Sequence, residues 1–505
     1  MILEYIVKNK IYVFALLHVL IWTLLPTILH PNMPLDMTEL VSWGHEWQWG
    51  YQKHPPLSSW IAEVAMILSG NSTWAYFLLS QISIATSFII VWKLSGKFLD
   101  KEKAFMATIL LEGVYYYNFT SPEFNPNVLM IPLWSAIILA FWNGLQTSKI
   151  QYWFFVGLLS ALAMLAKYYS ATLLISMVLM LVFAKDYRSH WRTAGPYVAF
   201  VTAMLCLLPH LMWIYQNNFS TFHYAIGRSS SEYHFYNHLL YPLKFSLSQL
   251  VSVLAALVIF GVAYSKERGR SRHILNGSDN KLTFLFFCGL MPFLLTLLIS
   301  GISSASLKSM WGTPLWNLVG IMLFYFFYKE NLSERFSKVF YKTFIIIVVI
   351  SVVAYIGSLT FRTSNRAHFN GQAAGKYISD AWNQAVPDMP LKIVVGDLWL
   401  AGNIGFYADS RLSVFTDMDT QKSSWLNIDR LRQAGAVIVW DSASEGERLP
   451  ARLTVPCTKI LLQNPVVLPW RNGDTDKPPY MLGFAILVPV SKYEKSEVIC
   501  DSKYN

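Results

Sequence analysis

Charged residues are scarce in this sequence of 505 residues, of which only 14% are Asp, Glu, Lys or Arg while 54% are apolar. A soluble globular protein carries about 25% charged residues. So few charges cannot cover the surface of a soluble protein of this length, which argues against a cytosolic enzyme. The large apolar fraction likewise argues against a disordered chain or a fibrous repeat. The composition therefore indicates a membrane protein.

Acidic residues are fewer than basic ones, which leaves a formal net charge of +10. In a soluble protein such an excess suggests nucleic-acid binding, whereas in a membrane protein it marks the cytoplasmic loops. The tail from residue 361 holds 16 Lys and Arg against 15 Asp and Glu, so nearly all of the excess precedes it. There the charges are spread over short loops and not clustered on one face, so nucleic acid is not an expected partner.

Apolar runs long enough to cross a bilayer recur before residue 361. A span needs roughly 20 mostly apolar residues, and on that basis we predict about eleven. They cover residues 11–29, 73–92, 104–119, 127–145, 152–166, 169–184, 194–215, 246–264, 282–300, 312–328 and 343–360. With the N-terminus inside, the cytoplasmic loops hold nineteen Lys and Arg and the opposite loops five, as the positive-inside rule requires. The count depends on a break near Lys167, because one long helix there would reverse all later orientations.

The tail, residues 361–505, reads as a separate α/β domain on the periplasmic side. Predicted strands at 391–395, 412–415, 436–440, 459–463 and 481–489 enclose helices at 397–407 and 426–433. This alternation favours a layered sheet. The tail lacks a phosphate-binding glycine loop, zinc spacing and a nucleophile elbow, so we interpret it as a lid or docking module. Two of the four cysteines, Cys457 and Cys500, lie in it, and spacing alone leaves their pairing open.

Polar chemistry concentrates in the first predicted periplasmic loop, residues 30–57, within a membrane part predicted as residues 1–360. The loop combines carboxylates, histidines and Lys53 with several tryptophans. Charged groups beside a bilayer are costly and tend to mark function. The alternative is a belt of interfacial aromatic residues with solvated charges between them.

Several motifs carry a resemblance to a known family. Asp36, Trp43 and the run Trp49-Gly50-Tyr51-Gln52-Lys53-His54-Pro55-Pro56 resemble the first periplasmic loop of polyprenyl-phosphate-dependent glycosyltransferases of the GT-C class. The likeness is greatest to the bacterial branch related to protein O-mannosyltransferases and the lipid A aminoarabinose transferase. Segments 122–127, 165–168, 208–218 and 311–314 are also similar to motifs of this branch. The resemblance thus covers most of the chain.

Three positions depart from the family pattern, and each departure removes a carboxylate. Met37 and Lys53 stand in the first loop where an acid is usual, and Asn127 replaces an aspartate. Hard divalent ions require several oxygen ligands, so no metal or other cofactor is expected, although a divalent metal stays open. The departures also leave Asp36 as the best remaining catalytic acid.

The resemblance implies a polytopic α-helical membrane protein of the GT-C type with a C-terminal periplasmic α/β domain. It implies an inverting-type transferase that moves a sugar, hexose or pentose, from a polyprenyl phosphate, in bacteria undecaprenyl phosphate, to a hydroxyl. The acceptor is a component of the cell envelope: lipopolysaccharide or lipid A, another glycan, or a protein. The implied location is the bacterial inner membrane, crossed several times, with the N-terminus in the cytoplasm.

The resemblance also suggests roles for individual residues. A base must accept the proton of the acceptor hydroxyl, and cations must stabilise the departing phosphate. The predicted catalytic residues are Asp36 and Glu39. The predicted phosphate-binding residues are His54, Lys167, Lys53, Lys308 and Arg228. The predicted substrate-binding residues are Tyr51, Tyr168, Asn127 and His210.

Structural explanations compete with these roles. Lys167 could only snorkel from a helix end, and His54 could only cap the helix that begins at Pro55-Pro56. Lys53 could pair with Glu46 at the surface, and His210 could be a hydrogen-bonded core histidine. At the level of function, a transporter or flippase would show inverted repeats, which the sequence lacks. An O-antigen-type polymerase would use outer-loop arginines, of which there is one before the tail.

Overall fold

The structure is a computed structural model that describes residues 9–230, 232–266, 279–328, 332–361, 366–471 and 478–493. It divides into two compact units, each assembled from separate stretches of the chain. The helical unit consists of Met1–Pro26, Phe77–Met212 and Phe222–Ile356. The mixed unit consists of Thr27–Tyr76, Trp213–Thr221 and Gly357–Asn505. The predicted division of the sequence at residue 361 stays a prediction.

The helices of the first two thirds of the chain fall largely into the helical unit. They are α1 (Lys10–Leu29), α2 (Leu35–Gly44), α3 (Leu57–Leu68), α4 (Thr73–Ser95), α5 (Lys101–Ile109), α6 (Pro126–Thr147), α7 (Ile150–Ala166), α8 (Ala171–Phe183), α9 (Gly195–Gln216), α10 (Ser220–Ser229), α11 (Asn237–Ser265), α12 (Asn280–Leu285), α13 (Met291–Ser303), α14 (Val319–Phe327) and α15 (Glu334–Thr360). Of these, α2 and α3 belong to the mixed unit.

Seven helices among the described residues are long and apolar enough to cross a membrane, counting the continuous stretch Asn280–Ser303 (α12, a π-helical turn and α13) as one, or eight if the bent pair Ser309–Trp316 and Val319–Phe327 is one span. The predicted count of about eleven is not confirmed. The reason is local: α5, α7 and α8, which lie in three of the predicted spans, have only 9, 17 and 13 residues. The chain does break at Lys167, whose extended backbone separates α7 from α8.

A buried polar network links three segments of the helical unit. His18 on α1 lies with Nδ1 2.7 Å from Glu112 Oε2 and with Nε2 2.9 Å from Gln81 Oε1. The indole of Trp22 donates to the other Glu112 oxygen at 3.1 Å. His18 and Glu112 are both almost fully buried. Because an ionisable group within a bilayer needs a partner, this network fixes α1, α4 and the 3-10 helix Leu110–Gly113 together.

The tail forms a sheet with helices on both faces. Its helices are α16 (Gly371–Ala385), α17 (Leu398–Tyr407), α18 (Ile428–Ala434) and α19 (Ser442–Glu445), and its strands are β1 (Ile393–Gly396), β2 (Ser413–Thr416), β3 (Ala436–Asp441), β4 (Ile460–Leu462), β5 (Val466–Leu468) and β6 (Tyr480–Leu487). The strand order is β2-β1-β3-β6-β4, and β5 also pairs with β6. Strands β1, β2 and β3 are parallel, whereas β6 is antiparallel to its neighbours.

Two apolar cores flank this sheet. One contains Trp382 of α16 and Leu400 of α17, and the other contains Phe415 and Trp440 of the strands. Both faces of the central strand β1 are covered, which explains why Ile393–Gly396 is buried throughout. The possible pairing of Cys457 with Cys500 cannot be followed, because Cys500 lies outside the described residues.

Helix α17 also packs closely on α2, the helix that carries Asp36 and Glu39. A Cβ atom at Gly402 would lie 2.4 Å from Cγ2 of Thr38 and 3.0 Å from Oγ of Ser42. Only glycine permits this approach of the two backbones. Within the mixed unit, the first loop and the tail therefore share one packed interior.

Candidate active site

The predicted catalytic acids occupy the first half of α2. Pro34 precedes this helix, and Asp36 lies in its first turn, where a carboxylate complements the helix dipole. Glu39 follows three residues later and is therefore on the same face of the helix. Asp36 is half-buried, whereas Glu39 is buried. The helix thus presents one accessible and one enclosed carboxylate side by side.

Lys53 is held by Glu39. Its Nζ atom donates to both carboxylate oxygens of Glu39, at 2.7 Å and 3.0 Å. The alternative of a surface pair between Lys53 and Glu46 is not observed, since the ammonium lies on Glu39 instead. Because Lys53 reaches the helix one turn after Asp36, the structure joins a base candidate and a cation candidate within the mixed unit.

Tyr51 is part of the scaffold of this loop. Its ring stacks on Trp43 with centroids 5.2 Å apart and planes 10° apart, and its hydroxyl donates to the Trp43 carbonyl at 2.7 Å. Its backbone N–H donates to the His54 carbonyl at 3.0 Å. Burial raises the pKa of Tyr51. With its hydroxyl bonded inside the protein, Tyr51 shapes the loop.

The Trp-Gly-Tyr motif requires glycine at position 50 for steric reasons. A Cβ atom at Gly50 would lie 2.4 Å from the ring of Trp213, so no other residue fits without displacing that ring. The neighbouring carbonyl of Tyr51 accepts a hydrogen bond of 3.0 Å from Thr221. Two of the motifs that carry the resemblance, at 49–51 and 208–218, are therefore in contact.

His54 is half-buried at the end of the loop. Its ring meets the edge of Trp43, with centroids 6.3 Å apart. The following helix α3 has Pro56 at its N-cap and no side-chain cap, so the alternative that His54 caps this helix is not observed.

A second group of predicted residues lies in the helical unit around Lys167. Its Nζ donates to Oδ1 of Asn127 at 2.5 Å and lies 5.9 Å from the ring centre of Trp311. Asn127 is oriented by Asn125, whose side chain caps α6 and accepts from the Asn127 amide at 3.1 Å. Three motifs that are far apart in sequence therefore meet at one ammonium group.

Asn127, which replaces the usual aspartate, changes the electrostatics around Lys167. An amide oxygen fixes the direction of the Lys167 side chain but carries no charge to neutralise it. Asn127 therefore orients the ammonium at the break between α7 and α8 without forming an ion pair with it. A lysine that only snorkelled from a helix end would need no such buried partner.

Tyr168 and His210 form a pair in the helical unit. The Tyr168 hydroxyl lies 2.8 Å from His210 Nε2, and its ring stacks on Phe222 with centroids 5.1 Å apart. His210 is almost fully buried within α9. This arrangement matches the hydrogen-bonded core histidine that was the alternative for His210, and it leaves Tyr168 as the more accessible member.

The last two cation candidates are placed less specifically. Lys308 is half-buried and immediately precedes the 3-10 helix Ser309–Trp316, where its carbonyl accepts from Trp311 at 2.9 Å. Arg228 is exposed in the last turn of α10. Neither has an ion-pair partner among the described residues.

One charged cluster in the mixed unit escaped the sequence reasoning. Arg411, just before β2, donates through Nη2 to Glu63 Oε2 at 3.0 Å and to the Val41 carbonyl of α2 at 2.9 Å. His45 Nδ1 lies 3.5 Å from the other oxygen of Glu63. Burial raises the pKa of Glu63, but the bonds from His45 and Arg411 outweigh it and hold that pKa below its usual value. The available signal was a lone acid inside the apolar helix α3.

The Lys53–Glu39 pair leads to a prediction about stability. Lys53→Met should lower the free energy of unfolding by about 1–3 kcal/mol, because it leaves the buried Glu39 carboxylate without its ammonium. Adding Glu39→Gln to this variant should recover most of that loss. Thermal unfolding of the two single variants and the double variant measures the coupling. If the two single losses simply add, the ion pair does not stabilise the loop.

Comparisons with known proteins agree with this picture. Residues 53–213 match the family described as dolichyl-phosphate-mannose-protein mannosyltransferase. No curated protein matches the chain significantly. The matched segment begins at Lys53 and ends at Trp213, so it includes Lys167, Asn127 and His210.

Solved structures match over nearly the full length. The crystal structure of ArnT from Cupriavidus metallidurans bound to undecaprenyl phosphate aligns with a TM-score of 0.61 at 13% identity, covering 94% of this chain and 98% of that one. Its apo state gives 0.61 at 12% identity, covering 95% and 98%. The apo oligosaccharyltransferase of Archaeoglobus fulgidus gives 0.42 at 11% identity, covering 86% and 70%.

These findings confirm the resemblance predicted from the sequence. The chain is a multi-pass membrane protein with the GT-C type of fold and a C-terminal α/β domain. At such low identity the likeness to ArnT concerns the fold alone.

Proposed function

We propose that this protein is an inverting glycosyltransferase that moves a sugar from a polyprenyl phosphate, in bacteria undecaprenyl phosphate, to a hydroxyl of a cell-envelope acceptor. One observation carries the proposal: motifs at 122–127, 165–168 and 311–314 converge on the Lys167 ammonium, whose charge the amide of Asn127 leaves in place. A cation positioned in this way suits a phosphate leaving group. ArnT, which has the same fold, was crystallised with undecaprenyl phosphate.

The reaction needs a base, and we assign this role to Asp36. Its carboxylate would accept the proton of the acceptor hydroxyl as the hydroxyl oxygen attacks the anomeric carbon of the sugar. The bond between that carbon and the phosphate oxygen breaks on the opposite face, which inverts the configuration. Glu39 supports the base indirectly by holding Lys53 one turn away.

The departing polyprenyl phosphate gains negative charge, and cations would stabilise it. We assign Lys167 and His54 first, then Lys53, followed by Lys308 and Arg228. Lys53 remains bound to Glu39 through two short bonds, so its position is defined before any donor arrives. Such preorganisation spares the cost of ordering a flexible lysine during the reaction.

Aromatic and amide groups would contact the sugar or position the cations. We assign Tyr168 to contact the sugar, while His210 hydrogen-bonds to the Tyr168 hydroxyl. Asn127 positions Lys167, and Tyr51 keeps the loop in shape through its stacking on Trp43. These are supporting roles for a reaction centred on Asp36.

We further propose a place for the protein in the cell. The bias of Lys and Arg toward one set of loops favours a cytoplasmic N-terminus, with both the first loop and the tail in the periplasm. This arrangement fits a bacterial inner-membrane enzyme that acts on its outer face. The acceptor would then be lipopolysaccharide or lipid A, another envelope glycan, or a protein.

The decisive test is comparative mass spectrometry of envelope lipids, glycans and proteins from cells with and without the gene. Loss of one sugar from one component would support the proposal and identify both donor sugar and acceptor. An unchanged envelope with altered transport of a lipid-linked sugar across the membrane would favour a flippase and overturn it.

The role of Lys167 gives a prediction for donor use. Lys167→Ala should raise the KM for the polyprenyl-phosphate-linked sugar by about 10- to 100-fold, because one charged contact to the phosphate is lost. Asn127→Asp should act in the same direction by neutralising the ammonium. Donor titration in detergent measures both, with Lys149→Ala as the control, since Lys149 is exposed at the start of α7. Unchanged donor dependence in both variants would remove Lys167 from the phosphate site.

A further inference from the structure

A cavity of about 520 Å³ lies in the helical unit, and none of the residues assigned above lines it. It is formed by the end of α4, the beginning of α5 and the last part of α6. Three lysines line it, Lys93, Lys97 and Lys101, together with the amide side chain of Asn143. The remaining wall includes the apolar side chains of Trp92, Leu99, Ala104 and Leu139. The cavity thus combines a strongly basic part with an apolar part.

The positive charge of the cavity is not balanced by its own wall. Asp100 lines it too, but that carboxylate is bound to Lys103, accepting from its backbone N–H at 3.0 Å and from its ammonium at 2.9 Å. Among the described residues, none forms an ion pair with Lys93, Lys97 or Lys101. All three lysines are exposed, and like charges that line one cavity repel each other, so an anion bound among them would be favoured.

The segment that carries these lysines is firmly placed. Lys281 donates through Nζ to the Lys97 carbonyl at 2.9 Å and lies 5.8 Å from the ring centre of Phe98. Phe98 in turn packs against Trp142, with ring centroids 4.6 Å apart. Because these contacts fix the connection between α4 and α5, the cavity is a formed feature.

The position of the three lysines along the chain indicates that the cavity lies near the lipid head groups. The lysines follow directly on the apolar helix α4, a candidate span, so they lie at its end, where lipid head groups are found. Tryptophan is typical of that depth. Basic pockets between membrane helices bind anionic head groups, and their apolar walls suit the adjoining part of the lipid.

We propose that this cavity binds an anionic phospholipid. The phosphate of its head group lies among Lys93, Lys97 and Lys101, and its glycerol and first methylene groups lie against Trp92, Leu99 and Leu139. A soluble anion would use the lysines but not the apolar wall. The site is independent of the sugar-transfer reaction, so it stands whether or not that reaction is confirmed.

Native mass spectrometry of the full-length protein in detergent tests this site. The probes are phosphatidylglycerol and phosphatidylcholine with identical acyl chains. The wild-type protein should retain phosphatidylglycerol preferentially. The triple variant Lys93→Gln, Lys97→Gln, Lys101→Gln should lose that lipid at least about tenfold. Equal retention of the two lipids by the wild-type protein, or undiminished phosphatidylglycerol in the triple variant, would overturn the proposal.

Controls separate a specific site from general charge and from misfolding. The matched variant Lys149→Gln, Lys185→Gln, Lys342→Gln removes three exposed lysines that do not line the cavity, and it should change binding less than about twofold. The single variants Lys93→Gln and Lys97→Gln should each weaken retention partially, which covers the case of an unstable triple variant. Displacement of the lipid by millimolar inorganic phosphate would mark a site for free anions and refute the lipid assignment.

Discussion

Asp36→Asn should lower sugar transfer by about 10²- to 10⁴-fold, the range expected when a general base is removed. The asparagine keeps the shape of the side chain in the first turn of α2, but it cannot take up the acceptor proton. The measurement is the amount of modified envelope component, by mass spectrometry, in cells that contain equal amounts of each membrane-inserted variant.

A matched control is available in the same unit. Asp429 also lies in the first turn of a helix, α18, but its side chain is 81% exposed and its partner is Arg432. Asp429→Asn should leave transfer unchanged. Near-normal transfer by the Asp36→Asn protein would show that the base is another residue.

The second large effect concerns stability. Arg411→Ala should lower the free energy of unfolding by about 3–5 kcal/mol, because it leaves the buried Glu63 carboxylate without its main cation. The substitution also removes the hydrogen bond from the Arg411 guanidinium to the Val41 carbonyl of α2. Thermal unfolding measures the first effect, and hydrogen exchange of residues 35–44 measures the second.

Arg452→Ala is the control for this experiment. Arg452 belongs to the same unit and binds Glu445 and Asp417, but its side chain is 42% exposed. An exposed ion pair contributes about 0–1 kcal/mol, so the control should unfold almost like the wild-type protein. Equal losses in the two variants would mean that Arg411 has no special role in holding α2.

Much of the tail could be predicted because its strands are short apolar runs between polar helices. Strands near 391–395, 412–415 and 436–440 and the helices between them are found within two residues of their predicted positions. The three-residue strand β5 was missed, since Pro465 and Pro469 flank it and leave almost no pattern. Helix α16 was missed too, because Gly371 and Gly375 weaken the helical pattern of its first half.

The number of spans was harder to predict, since hydropathy measures apolar length and not helix continuity. The run at 104–119 is apolar enough to predict a membrane span. However, α5 ends at Ile109 and passes into a 3-10 helix, in which Glu112 accepts hydrogen bonds from buried side chains. Its side-chain partners are His18 and Trp22, and His18 in turn lies 2.9 Å from Gln81. Such contacts between distant residues do not appear in any local window.

The candidate site was also only partly predictable from the sequence. Motifs in the sequence predict Lys53, Lys167 and Asn127 as site residues, because each lies in a recognisable short run. The ion pairs were not predictable from the sequence. Glu39 is 14 residues from its partner Lys53, and Arg411 is 348 residues from its partner Glu63. Charge pairing over such distances depends on how the chain folds back on itself.

The discontinuous make-up of the mixed unit has a consequence for biosynthesis. Helix α2 is translated within the first tenth of the chain, but the glycine of α17 that packs on it comes at residue 402. During most of translation the helix that carries Asp36 can therefore pack on α3 but lacks the surface that α17 supplies. A chain released early by the ribosome would contain α2 without the surface of α17 that packs on it. Completion of the tail is therefore required before the mixed unit can assemble.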